Sequence, residues 1–198
     1  MTDGWRPKKA KFIGLDIETS GTNPDIHSLI QIGVAALPLK GGAVFSSDVG
    51  GPATEWLVID PEALKVNGFD KLRMCLAPPA KTVDMKLEMF LKELNPEGYC
   101  VCVGFNVGEF DKQFVRKAFP ESYKRLGYRS VDLNSVIFTL AEARLGAFDE
   151  IKTKAKGYAE GTLRDMGFPT QKHDALWDAR EALLCWQYLR GMLPKRVP

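Results

Sequence analysis

The feature that most constrains this chain is a short apolar strand ending in two acids. Residues 12–17 read Phe-Ile-Gly-Leu-Asp-Ile and run on into Glu18-Thr19-Ser20-Gly21. Successive side chains of a strand alternate between faces, so Asp16 and Glu18 project from the same side. Two carboxylates on one face of a core strand call for a positive neighbour. No Lys or Arg occurs between Lys11 and Lys40 to supply one locally. A divalent cation with oxygen ligands is the natural counter-charge. The alternative is a strand that stops at Leu15 and leaves both acids solvated, and on this segment alone the two readings stand level.

The remaining periodicity builds a frame around that strand. Residues 29–37 read as a second strand, with Asn23-Pro24 as turn signals before it. Residues 40–54, rich in Gly, Ser and Pro, read as a loop, and residues 55–59 as a third strand stopped by Asp60-Pro61. Val83, Leu87, Phe90, Leu91 and Leu94 predict a helix over 83–94. A strand over 99–105, a helix over 110–119, a short strand over 130–133 and a helix over 134–145 follow, the last with Asn134 as its N-cap. Residues 146–161 contain Gly146, Gly157, Gly161 and the run Lys152, Lys154, Lys156, and read as a loop or insertion. Ala175, Ala179, Ala182, Trp186 and Leu189 form one stripe of a last helix over 175–190. Three hairpin-like strands followed by alternating strands and helices predict a mixed sheet covered by helices. The expected layout is a polar leader over 1–10, a single domain over 11–192 and a tail over 193–198.

Two later segments also carry acids. Gly-Phe-Asn-Val-Gly-Glu-Phe-Asp, residues 104–111, follows an apolar strand and opens a helix. An acid such as Asp111 is favourable at a helix N-terminus for ordinary reasons, so this segment alone needs no functional reading. His-Asp-Ala-Leu-Trp-Asp, residues 173–178, opens the last helix. Asp178 falls near the buried stripe of that helix rather than opposite it. With about 3.6 residues per turn, an offset of five residues splays His173 away from Asp178 unless His173 lies on a loop just before the helix.

Composition sets bounds on the partner. The formal net charge of the 198 residues is +2, so a nucleic-acid partner must be held by local basic patches or by metal ions. Lys152, Lys154 and Lys156, with Arg116, Lys117, Lys124, Arg125 and Arg129, are the candidates for such patches, although charge runs are more often solvated faces. No apolar run approaches the ~20 residues that span a bilayer, and the stretch after Lys11 is too short for a signal peptide. No membrane partner and a cytoplasmic location are therefore expected. Cys75, Cys100, Cys102 and Cys185 make no C-x-x-C pair, and His27 and His173 stand at no zinc-finger spacing from them. Four reduced thiols are expected rather than a zinc site.

Taken in order, D-x-E at Asp16 and Glu18, N-x-x-x-F-D at Asn106 and Asp111, and H-x-A-x-x-D at His173 and Asp178 resemble the DEDDh-type 3′–5′ exonucleases. That group includes polymerase proofreading domains, ribonuclease T, oligoribonuclease and the TREX enzymes. The resemblance runs from about Phe12 to Leu189, and the segments at 61–69 and 161–167 look like the family's Gly-hydrophobic pair and its short helix before the final motif. The first motif has Ser20 where many members have Thr, and Asn106 stands five residues before Asp111 where many have four.

The resemblance implies a ribonuclease H-like α/β fold: a mixed sheet, three antiparallel strands then parallel ones, flanked by helices. It implies Mg²⁺ or Mn²⁺, two ions per site, held by Asp16, Glu18, Asp111 and Asp178. His173 would be the general base, a role that suits a residue type titrating near neutrality. Thr19 and Asn106 would contact substrate, and Phe69 is a candidate to stack on a terminal base, with a core position as its alternative. The implied partners are single-stranded 3′ ends, with DNA favoured over RNA, and a polymerase or other replication or repair protein. An exoribonuclease and a non-cutting nucleic-acid or polymerase-binding module of the same fold are the rival readings.

Overall fold

The acid-bearing strand extends over Ala10–Thr19 (β1) and takes the centre of a five-stranded sheet. The computed structural model describes residues 10–51, 58–68 and 70–193. On one side of β1, Leu29–Ala36 (β2) and Val44–Asp48 (β3) pair antiparallel. On the other, Tyr99–Gly104 (β4) and Leu126–Asp132 (β5) pair parallel. The order β3-β2-β1-β4-β5 has the three antiparallel strands followed by parallel ones that the motifs imply.

The two faces of β1 go to different layers. Ile13, Leu15 and Ile17 enter a core with Leu87 and Leu91 of helix α3 (Ala80–Leu94) and Phe114 of α4 (Asp111–Ala118). Between β3 and α3 run two short helices, α1 (Pro61–Asn67) and α2 (Lys71–Leu76). Gly14, Asp16 and Glu18 face the opposite way, toward the helix α8 (Ala175–Met192). A Cβ on Gly14 would lie 1.9 Å from the Ala179 carbonyl oxygen, and one on Gly33 of β2 would lie 2.1 Å from the Ala175 carbonyl carbon. Absent side chains on the sheet and alanines on the helix thus let the α8 backbone rest on β1 and β2. That close approach carries Asp178 to the acids of β1.

Three expectations are corrected, and a fourth falls mostly outside the described residues. Residues 146–161 are not a loop: Phe148–Asp165 is a helix (α7), packed through Ile151, Ala155, Ala159 and Leu163. That stripe of every fourth residue faces the core, while Gly157 and Gly161 have open space around them and merely tolerate the helix. The region 40–54 contains β3, an edge strand that gains its ladder from β2. Of the strand expected over 55–59, residues 55–57 lie outside the described residues, and Val58 and Ile59 are not in a strand. Asn134 is not a cap: Asp132 caps helix α6 (Leu133–Glu142) by accepting the Ser135 N–H at 3.0 Å. A four-residue helix α5 (Pro120–Tyr123) lies between α4 and β5. The leader over 1–10 overlaps β1 at Ala10, and residues 1–9 and 194–198 lie outside the described residues.

Candidate active site

The site forms where β1 runs out. The β1–β2 register shifts between Glu18 and Thr19, so the ladder breaks beside the acids. Thr19 is nearly buried; its Oγ1 donates to the Gly21 carbonyl at 2.7 Å and its own carbonyl accepts Asn67 Nδ2 at 2.8 Å. The end of β1 is thereby tied to the end of α1.

Asp174 caps α8, its side chain accepting the Trp177 N–H at 3.0 Å. His173 therefore sits just before the helix, as its five-residue offset from Asp178 requires. It is exposed, adopts the left-handed φ of 62°, and donates its backbone N–H to Asp178 Oδ2 at 3.1 Å. The Ala175 N–H is held by the buried Gln31 side chain of β2 at 2.9 Å, which anchors the start of α8 to the sheet.

Asp16, Glu18, His173 and Asp178 line one cleft of about 360 Å³. One potential ligand atom from each of Glu18, His173 and Asp178 lies within 4.8 Å of the others. Asp111, the first residue of α4, is buried behind Asp16 rather than exposed at the helix end. The backbone N–H groups of its own residue and of Ile17 face its carboxylate. Asn106 begins the turn into α4 at φ 57° and is exposed at the rim, its Oδ1 accepting Asn134 Nδ2 at 2.9 Å. Asp16, Glu18, His173, Asp178 and Asn106 thus meet at this cleft, with Thr19 and Asp111 adjoining it. Phe69 lies outside the described residues.

The electrostatics are those of crowded, desolvated acids. Burial, then Asp111, Asp178, Glu18 and Glu181 in turn, push the Asp16 carboxyl well above the usual carboxylate range. Asp111 is also driven up, chiefly by burial, against the opposing pull of its two N–H donors. Glu18 is pushed up to about 7 by burial and by Asp178 and Asp174. Asp178 is pushed up to about 6 by burial and Glu181, with Lys156 and the His173 N–H acting the other way. The protein's own groups therefore leave these oxygens under-neutralised. An all-oxygen set of this kind fits a hard divalent cation such as Mg²⁺ or Mn²⁺.

Three further cleft groups carry no site role in the sequence reading. Glu181, one turn after Asp178, is buried and paired with Lys156 at 3.1 Å. Phe105 and Asn134 also line the cleft. The spacing Asp178 to Glu181 was a visible signal that both acids share a helix face. Of the basic residues considered earlier, Lys152 and Lys156 line the cleft, whereas Lys154 pairs with Glu150 and Lys124 with Glu121. Arg125 pairs with Glu88, and Lys117 Nζ donates to the Pro24 carbonyl. A second cavity of about 400 Å³, between Ile26, Val49, Phe114 and Ala118, has no carboxylate among its described lining residues. No described helix is long and apolar enough to cross a membrane.

No family model matches the chain. It is 29% identical over 181 residues to the 3′-5′ DNA exonuclease Cap18 of Escherichia coli, covering 88% of this chain and 89% of that protein. Among solved structures it resembles E. coli exonuclease I in complex with a dT13 oligonucleotide, with a TM-score of 0.65 and 15% identity, over 91% of this chain and 41% of that one. The product-bound structure of exonuclease I gives a TM-score of 0.65 at 15% identity, over 93% of this chain and 44% of that one. The zinc-bound form of exonuclease I with single-stranded DNA gives 0.63 at 15% identity, over 92% and 40%. This chain thus spans about two fifths of the exonuclease I chains, and the likeness is one of fold.

Proposed function

We propose, from the premise that this chain belongs to the DEDDh-type 3′–5′ exonucleases, that it removes 5′-nucleoside monophosphates from the 3′ ends of single-stranded DNA with the help of two divalent cations. The convergence of Asp16, Glu18, Asp178 and His173 on one cleft, with Asp111 buried behind Asp16, carries this reading. DNA is favoured over RNA because the relative covered along most of its length is named a DNA exonuclease. The exonuclease I structures include complexes with a dT13 oligonucleotide and with single-stranded DNA, and these support a strand as substrate.

Asp16, Glu18 and Asp178, with Asp111 in support, would hold two Mg²⁺ or Mn²⁺ ions. When bound, such a pair supplies charge neutralisation for the attacking and leaving oxygens of an in-line displacement. His173 takes the proton from the attacking water. Its place on a loop outside α8 leaves the imidazole free to approach, while its backbone N–H stays tied to Asp178. Asn106, which lines the rim, would contact the terminal nucleotide, and Thr19, at the broken end of β1, would do so beside it.

The test is a time course on 5′-labelled single-stranded DNA and RNA of one sequence, with Mg²⁺, with Mn²⁺ and with chelator. A metal-dependent ladder shortening from the 3′ end, faster on DNA, is expected. Activity that survives exhaustive chelation would contradict the metal reading. Faster cutting of RNA would favour the exoribonuclease alternative, and no cutting of either polymer a binding module.

A further inference from the structure

The carboxylates that suit a metal also repel the strand it serves, since every nucleotide brings a phosphate toward a wall of acids. The cleft therefore needs cations for the phosphates that the metal site does not reach. α7 brings two. Lys152 and Lys156 are one helical turn apart on one side of α7, and both line the cleft. Both ammonium groups lie over the ring of Phe105, at 5.4 and 5.0 Å from its centroid. Lys152 is also 5.8 Å from the Phe148 ring centroid. Phe105 directly follows β4 and precedes Asn106, so the two cations stand beside the candidate substrate rim.

The pair is also anchored. Lys156 Nζ lies 3.1 Å from Glu181, whose side chain is only 5% exposed. Glu181 is thereby committed to Lys156 rather than left as a fifth open acid. Among the described residues no carboxylate makes an ion pair with Lys152, and the aromatic faces hold it over the cleft. Lys154, between the two in sequence, points elsewhere and pairs with Glu150.

We propose that Lys152, Lys156 and Phe105 form a phosphate clamp for the strand leading to the 3′ end, taking a backbone phosphodiester next to the one that is cut. Glu181 is the positioning residue that sets the Lys156 ammonium at the cleft edge. The clamp rests on the exonuclease reading above and names the part of the strand that α7 grips.

The experiment measures KM and kcat on a 5′-labelled oligothymidylate at several salt concentrations, for the full chain and for Lys152→Gln, Lys156→Gln, Lys156→Arg and Lys154→Gln. The same proteins are assayed on thymidine 5′-(p-nitrophenyl phosphate), which lacks a neighbouring phosphodiester. Each Gln variant at the clamp should raise KM for the oligonucleotide on the order of tenfold and lower the salt slope by about 0.7, the value for one single-strand phosphate contact. Lys156→Arg should recover most of the loss, and Lys154→Gln should behave as the parent. Lys156→Gln leaves Glu181 without its partner, so Lys152→Gln provides the test if that variant folds poorly. Equal losses on both substrates, a loss confined to kcat, or an unchanged salt slope would overturn the clamp while the exonuclease reading stood. A parent protein that cut neither substrate would overturn that reading, and the clamp with it.

Discussion

Consider Asp178→Asn in protein stripped of metal. The Asp178 carboxyl is pushed up to about 6 from its ordinary 3.8, first by burial and then by Glu181. A raised acid pKa means that the folded state holds a proton which the unfolded chain has already released. Stability therefore falls as pH rises through the window from about 4 to about 6, and stays low above it. At about 1.4 kcal/mol per pH unit, ionised Asp178 costs the metal-free fold about 3 kcal/mol at pH 8 and about 1 kcal/mol at pH 4.5. Asparagine removes that cost and keeps an oxygen facing the His173 N–H, which the carboxylate accepts at 3.1 Å. For a domain of this size about 3 kcal/mol corresponds to roughly 6–12 °C in Tm. In chelator at pH 8 the variant should therefore melt well above the parent, by circular dichroism or dye-based melting, and the gap should shrink to about a third at pH 4.5. Mg²⁺ at pH 8 should raise the parent's Tm and move the variant's much less. A variant no more stable than the parent at pH 8, or a gap indifferent to pH, would refute the picture of crowded acids awaiting a cation.

Further outcomes follow from the same geometry. His173→Ala should lower kcat by roughly 10²–10⁴, the usual range for loss of a general base. The Mg²⁺ concentration that half-saturates the thermal shift should change little in that variant, and a large change would make His173 a ligand instead. Gly33→Ala forces a methyl to 2.1 Å from the Ala175 carbonyl carbon of α8. It should cost about 1–3 kcal/mol in urea unfolding and lower activity, because α8 carries Asp178; a neutral result would mean that α8 is not seated on the sheet as described. Ile151→Ala, in the buried stripe of α7, should cost about 2–5 kcal/mol. A negligible change there would return residues 146–161 to a surface loop.

Much of the frame was legible because its signals are local. β1, β2 and β4 showed as short apolar runs, and α3 and α8 as stripes of helical period, with ends close to those observed. The shared face of Asp16 and Glu18 follows from strand alternation, and His173 before α8 from the arithmetic of a helical turn. α7 was hidden because Gly157, Gly161 and three lysines are interleaved with Ile151, Ala155, Ala159 and Leu163, and the two alanines make that stripe weak until a core covers it. β3 was hidden among Gly and Ser because an edge strand takes its definition from its neighbour. Asp111 shows the same limit at the site: in sequence it reads as an ordinary acid at a helix start, and only packing buries it behind Asp16.

By itself, then, the sequence determined which chemical groups are available and on which side of each element they stand, since strand and helix periods are properties of the backbone. It also carried, in the order of three short motifs, the resemblance from which metal ligands and a general base could be named. Only the tertiary structure decided what those groups meet. Gly14 and Gly33 admit α8 to the sheet, which brings Asp178 to Asp16 and Glu18; α7 folds over Phe105, which brings Lys152 and Lys156 into the same cleft. These contacts join residues far apart in the chain, and their energies depend on burial and distance, which no local pattern encodes.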